Sequence, residues 1–301
     1  MNLDTIKKLN IRHVFSEKAL RAGVNTTLTQ DDIRKVKREV IETALAQLRG
    51  RDLLPIEKVE ISNEFYAWYS ETRMGAAVVR GRRTTHTMTD DVTEVPATPV
   101  PIPYIEKEFQ IHRLDALAKN DAKTRNARSA TRRVAEGEND MIYNGCTLPA
   151  INGLIAGKGN TTAAAAAWSG APGAGDPYED INTLIGLMEA DGFMGPYKMR
   201  VEPTNLAELR KREVKAGGAG ISYLELIKAS LISDVEADPS IPHGTAVVVQ
   251  TGQDVAVLAM PEDITVEFYD MDKNHVIFGK VYERCVPIIF QANGVGTVTG
   301  A

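Results

Sequence analysis

Two cysteines, Cys146 and Cys285, are all that 301 residues contain, and they stand in no redox-like or metal-like spacing. That excludes a disulfide scaffold and a zinc ribbon, and it suits a reducing compartment. Long apolar runs are missing too. No window reaches the roughly 18 apolar residues of a membrane-spanning helix. Lys7 and Lys8 have no apolar stretch behind them, so no signal peptide is expected. An excess of one charge is also absent. The 35 basic and 40 acidic residues leave a net charge of -5. Such a balance does not mark a dedicated nucleic-acid binder, although a local basic face can still meet nucleic acid.

The patterns of catalysis are absent as well. His13, His86, His112, His243 and His275 stand singly, with none paired at i, i+4. The run from Gly153 to Gly159 is glycine-rich like a phosphate loop. It has three residues between its glycines instead of four, and no Ser or Thr follows Lys158. Ser169 lacks the Gly-x-Ser-x-Gly elbow. Cys146 reads as a small buried thiol rather than a nucleophile. Asp90 with Asp91, and Glu262 with Asp263, read as solvated turn residues. No catalytic, cofactor-binding or metal-binding residue is expected, and the role points to structure rather than enzymology.

What is present is an ordinary globular composition, 43% hydrophobic and 25% charged. The length suits two domains or one elaborated domain. Residues 1–28 form an arm without clean periodicity. A helix is expected over Thr29 to Leu48, with Thr29 as cap and Asp31 and Asp32 at the positive dipole end. Ile33, Val36, Val40, Ile41, Ala44, Leu45 and Leu48 lie on one stripe. Arg34, Lys35, Lys37 and Arg38 fall mostly on the other face. A solvated surface accounts for them; contact with an acidic interior is the sharper reading.

Val59 to Tyr69 alternates as a half-buried strand, with Val59, Ile61, Phe65, Ala67 and Tyr69 on one side. Glu71 to Glu94 is an extended excursion rich in Arg, Thr and Asp. A lone two-stranded ribbon is marginal in water, so it needs a surface to lie on. Pro96, Pro99, Pro101 and Pro103 mark an extended connector. A short strand follows at Tyr104 to Ile111. A long polar helix spans Asp115 to about Asn144, touching its core through Leu117, Val134, Met141 and Ile142, and Gly145 stops it. Residues 145 to 177 read as loop. Helices are expected at Ile181 to Ala190, Asn205 to Lys215 and Tyr223 to Leu231. Strands are expected at Lys198 to Val201, Ala246 to Gln250, Val255 to Met260, Thr265 to Tyr269, Val276 to Arg284 and Val286 to Phe290. The class is α+β with a strand-rich C-terminal third.

Several stretches together carry a family resemblance. They are Leu48-Arg49-Gly50-Arg51-Asp52, Ile102-Pro103-Tyr104-Ile105, Arg133-Val134-Ala135-Glu136 with Glu138, and Ile142-Tyr143-Asn144-Gly145-Cys146. Ile151-Asn152-Gly153-Leu154, Asp191-Gly192 and Gly195-Pro196-Tyr197 follow in the same order. The chain resembles encapsulin shell proteins and the related major capsid proteins of tailed viruses, which share the Hong Kong 97 phage capsid fold. The resemblance implies residues 29–58 as leading helix and linker, and 59–106 as strands and extended loop. It implies a peripheral domain from 107–147 and 270–301, with a long spine helix, and an axial domain from 148–269. Arg73, Arg80, Arg82, Arg83, Asp90 and Asp91 would contact the adjacent subunit. Arg34, Lys35, Lys37 and Arg38 would face the interior. Lys215, Gly217, Gly218 and Gly220 would lie at the axial pore.

The implied partner is the chain itself, closed into an icosahedral shell with no membrane and no cofactor. The residues before the leading helix and the Ala/Gly-rich stretch from Gly157 to Gly175 depart from the compact encapsulin pattern. They put a viral capsid around packaged DNA first. A nanocompartment around a cargo enzyme is the alternative. Some capsids of this fold weld subunits through a loop lysine; no lysine occurs between Val59 and Glu106, so no such cross-link is expected to start there.

Overall fold

The computed structural model describes residues 30–68, 98–112, 122–147, 149–168, 175–211, 221–269 and 276–301. The expected arm, the loop residues Arg73, Arg80, Arg82, Arg83, Asp90 and Asp91, and the axial residues Lys215, Gly217, Gly218 and Gly220 lie outside these.

In chain order the elements begin with α1 (Gln30–Gln47), a 3-10 turn (Gly50–Asp52), β1 (Ile56–Lys58), β2 (Phe65–Trp68), β3 (Thr98–Pro101) and β4 (Tyr104–His112). The long helix α2 (Ala122–Asn144) follows, then β5 (Gly145–Cys146), β6 (Ile151–Asn152), β7 (Asn160–Ala163) and α3 (Pro177–Ala190). Next come β8 (Tyr197–Val201), α4 (Pro203–Lys211), α5 (Tyr223–Ser230), β9 (Asp234–Ala237) and β10 (Thr245–Gln250). The chain closes with β11 (Ala256–Phe268), β12 (Val276–Ile289), a 3-10 turn (Ala292–Gly294) and β13 (Val295–Thr299).

Two sheets carry the fold. The first has the order β1-β11-β12-β4, and the second β7-β13-β10-β8-β9. In the first, β11 and β12 run antiparallel as long strands, with register shifts between Ala259 and Glu262 and between Glu262 and Thr265. The sequence reading splits each of these strands in two. Glu262 and Asp263 prompted one split, and the bulges let those polar residues stay inside one continuous strand. The same observation corrects their reading as turn residues. The sheets also cut the chain differently from the expected segments. β11 pairs with β12 and β1, although 148–269 was expected in the axial part. β13 pairs with β10 and β7, although 270–301 was expected in the peripheral part.

Helices α1 and α2 cover the first sheet. Val36, Val40 and Ala44 of α1, and Leu48 just past its end, recur every four residues and are buried. They pack with Ala127, Ala130, Val134 and Ala135 of α2 and with Ile111, Ile264, Val266, Ile277 and Val281 of the sheet. Alanines at this helix contact let the two backbones approach closely. Gly145 ends α2 in a left-handed conformation, φ 78°, where a side chain would collide with the Ile151 carbonyl.

The second sheet packs its face on α3, α4 and α5 through Leu184, Met188, Met199, Leu209, Ile227 and Val248. Asp176 caps α3 by accepting from the Tyr178 N–H at 3.0 Å. Ser222 and Glu225 form a capping box on α5. Trp168 is buried under α3, and its indole N–H donates to Asp180 Oδ2 at 2.8 Å. β7 is a strand inside the stretch read as loop, and β9 and β13 are strands that the sequence reading leaves unassigned. Asn160-Thr-Thr-Ala and Asp234-Val-Glu-Ala are too short and polar to carry a period, and pairing with a longer neighbour makes them strands.

Candidate functional site

Three places gather charged and exposed apolar side chains: helix α1, the strands β2 and β3 that flank residues 69–97, and the seam between the two sheets. On α1, Arg34, Lys35 and Arg38 are exposed, while Lys37 is half-buried. Burial holds the Lys37 ammonium below the usual lysine range. Arg34, Lys35 and Lys37 all engage other groups of the chain, so the basic face is not simply solvated. Glu39 on the same helix pairs with Arg128 of α2 at 2.6 Å, tying the two helices at their rim.

β2 and β3, which flank residues 69–97, pair antiparallel from Phe65–Pro101 to Trp68–Thr98. The inward face of β2 is Tyr66 and Trp68, not Phe65 and Ala67. Trp68 meets Phe290 edge-on at 5.4 Å, whereas Phe65 is 55% exposed. The sequence reading had this face reversed because aromatic residues occupy both sides, and a strand has only parity to choose between them. Ile56, Ile61, Phe65 and Tyr104 are exposed apolar residues around the same strand pair. Arg284 fixes the turn before β2. Its Nη1 donates to the Ile61 carbonyl at 2.6 Å and its Nη2 to the Asn63 carbonyl at 2.7 Å. The guanidinium also lies 4.8 Å over the Tyr104 ring.

The seam is polar. Arg49 Nη1 donates to the Ala237 carbonyl at 2.7 Å, and Lys198 Nζ donates to the Asp52 carbonyl. Tyr143 donates to Asp238 Oδ2 at 3.2 Å, and Asn144 Nδ2 to the Ser240 carbonyl at 3.0 Å. Burial first, then the Asp238 charge, raises the Tyr143 hydroxyl well above the usual tyrosine range, so it stays a donor. Arg200 of β8 is fully buried and pairs with Asp234 at 2.7 Å.

Beside the seam lies a cluster that the sequence reading missed. Arg51 Nε donates to Glu138 Oε1 and Oε2 at 2.7 and 2.9 Å, and Nη2 donates to Glu138 Oε2 at 2.6 Å. Nη2 also reaches Glu283 Oε2, and Nη1 reaches Asp263 Oδ1, both at 2.8 Å. One guanidinium thus joins the first 3-10 turn, α2, β11 and β12. Asn139 of α2 supports it, accepting from the Gly50 N–H at 3.0 Å and donating to the Gln47 carbonyl at 2.8 Å. The available signal was Glu283, the one acid in the strand run from Val276 to Ile289, where a buried acid needs a partner. Cys285 is fully buried nearby, and burial pushes its thiol up, which leaves it unreactive. Cys146, expected to be buried, is half-buried.

Residues 25–283 match the family model described as encapsulating protein for peroxidase. The chain belongs to this encapsulating-protein family. It is 24% identical over 284 residues to the type 1 encapsulin shell protein EncA of Myxococcus xanthus, covering 91% of this chain and 94% of the relative. The virus-like particle of Pyrococcus furiosus superposes with a TM-score of 0.61 at 13% identity, over 88% of this chain and 98% of the other. The capsid of Myoviridae phage XM1 gives 0.61 at 12% identity, over 96% and 100%. The expected α+β capsid fold of the Hong Kong 97 type is therefore the fold of this encapsulin-family shell protein. The family match reverses the order of the two readings from sequence. It favours the encapsulin alternative, and the viral capsid no longer stands first.

Proposed function

We propose that this chain is the subunit of a self-assembling icosahedral nanocompartment that encloses a protein cargo. The observation that carries the reading is the family match across residues 25–283, which begins just ahead of α1 and ends midway along β12. That membership supports a structural role. In this reading α1 faces the lumen. Its buried stripe anchors it on α2, and the interior face is Arg34, Lys35, Lys37 and Arg38. The excursion with Arg73, Arg80, Arg82, Arg83, Asp90 and Asp91 lies on a neighbouring subunit, where arginine suits paired carboxylates better than lysine. Lys215, Gly217, Gly218 and Gly220 line an axial opening. Weak contacts suffice because symmetry repeats each of them at every copy.

The test is light scattering after size exclusion, with electron micrographs of the same fraction. Icosahedral closure with about sixty copies gives a particle of roughly 2 MDa. A uniform shell that releases a co-purifying protein on denaturation supports the nanocompartment. Particles that hold DNA return the viral capsid to first place. A monomer or dimer that never assembles overturns both. Without a lysine between Val59 and Glu106, denaturing gels of mature particles will show no covalent ladder mapped to that stretch.

A further inference from the structure

The cluster around Arg51 does not balance its charge. Three carboxylates, Glu138, Glu283 and Asp263, face one guanidinium. Glu138 and Glu283 are fully buried, whereas the Asp263 side chain is 32% exposed and keeps water. Among the described residues, the charged and titratable groups that face the cluster are Arg51 from the 3-10 turn, Glu138 from α2, Asp263 from β11, and Glu283 and Cys285 from β12, with no second base.

The hydrogen-bond pattern says where the imbalance sits. Both Glu138 oxygens accept from Arg51, which fits an ionised carboxylate. Glu283 accepts from Arg51 through Oε2 alone, and its Oε1 is buried with no donor or acceptor assigned to it. A carboxylate oxygen in that position carries the full cost of lost hydration; a carboxylic acid there can donate instead. We propose that Glu138 and Glu283 share one buried proton, carried by Glu283, and that losing it at alkaline pH loosens the lock between the leading segment, α2 and the first sheet.

The donor atoms of Glu138, Glu283 and Cys285 lie within 4.8 Å of one another, so a metal ion is the competing occupant. A proton fits better. Arg51 already claims both Glu138 oxygens, and burial keeps Cys285 a thiol. Burial first, then the Glu138 charge, hold the Glu283 carboxyl well above the ordinary range, and Arg51 opposes this only in part.

The sign follows from linkage. A carboxyl whose folded value is raised binds more protons in the folded state. Its contribution is fully present below the unfolded value of about 4.3 and is lost as pH rises towards the folded value. Within that window the folded-to-unfolded ratio falls by up to about tenfold per pH unit.

The experiment uses the full chain as assembled. Infrared spectra of the native protein at neutral pH, where ordinary carboxyls are ionised, will show a carboxylic-acid carbonyl band that vanishes in alkali. Unfolding is then followed from about pH 5 to about pH 9 for the native chain and for Glu283→Gln, which mimics the protonated form. The native chain will lose stability more steeply, and the protection of amides 49–54 against hydrogen exchange, taken relative to their intrinsic base-catalysed rates, will fall with pH only in the native chain. Absence of the acid band at neutral pH overturns the proposal, whether or not the variant folds. Parallel pH profiles overturn it too. Zinc that stabilises the native chain but not Glu283→Gln in alkali overturns the proton in favour of a metal ion.

Discussion

Arg51 and Arg200 are both buried and both ringed by acids, yet they are built differently. Every nitrogen of the Arg51 fork has an acceptor between 2.6 and 2.9 Å. Arg200 meets Asp234 and its neighbour's carbonyl through Nη1, while Nε and Nη2 have no hydrogen-bond partner. Its other acids, Asp52 and Glu236, stand at 4.0 and 3.8 Å. The acids around Arg51 include two fully buried ones, whereas those around Arg200 are a third to two-thirds exposed. Arg51 joins four elements that are distant in sequence. Arg200 sits opposite Glu236 in the ladder between β8 and β9, and chiefly marks register there. A buried arginine therefore secures the fold in proportion to how fully its fork is matched and how dry its acids are.

Arg284 stands between the two, with Nη1 and Nη2 matched and Nε unpaired. The comparison then predicts an order of effects. Arg51→Met strands Glu138 and Glu283 without a cation, and it will cost about 3–5 kcal/mol, read as loss of soluble shell or of the urea midpoint. Arg284→Met removes two charged donors from carbonyls, and will cost about 2–3 kcal/mol, with faster hydrogen exchange confined to 59–64. Arg200→Met leaves acids that water can reach. It will cost about 1–2 kcal/mol, and a loss as large as that of Arg51→Met breaks the comparison. Arg128→Ala opens an exposed pair with Glu39 and will cost about 0–1 kcal/mol in the same denaturation series. Within the first cluster, Glu283→Gln sharpens the contrast, since only the matched fork should carry a pH dependence that this substitution removes.

The elements most legible in the sequence were those with a full helical or strand period. The stripe from Val36 to Leu48 gave α1 its orientation, and Val134, Met141 and Ile142 are buried on α2 as their spacing requires. The ends of α3, β8, α5 and β10 fall within a few residues of their caps and breakers. The excursion root was legible only as a strand of uncertain facing, because Phe65 and Tyr66 offered apolar surface on both sides. β9 and β13 were not legible, because their strand character comes from a neighbour far along the chain. The cluster around Arg51 was read in pieces. Arg51 and Glu138 stood among the motifs of the family resemblance, Asp263 passed for a turn residue, and Glu283 was overlooked.

The family resemblance implied the shell-protein fold, while composition and periodicity by themselves determined an α+β class, a leading helix with one buried stripe, and a long helix stopped at Gly145. Those features depend on neighbours within a turn or a strand, where 3.6-residue and two-residue spacing is visible in the chain. Only the tertiary structure decided which strands share a sheet, which face of β2 turns inward, and that Arg51, Glu138, Asp263 and Glu283 meet. The last of these spans 232 residues from Arg51 to Glu283. Nothing local encodes such a meeting, because an acid in an apolar strand announces only that it needs a partner, and packing chooses the partner.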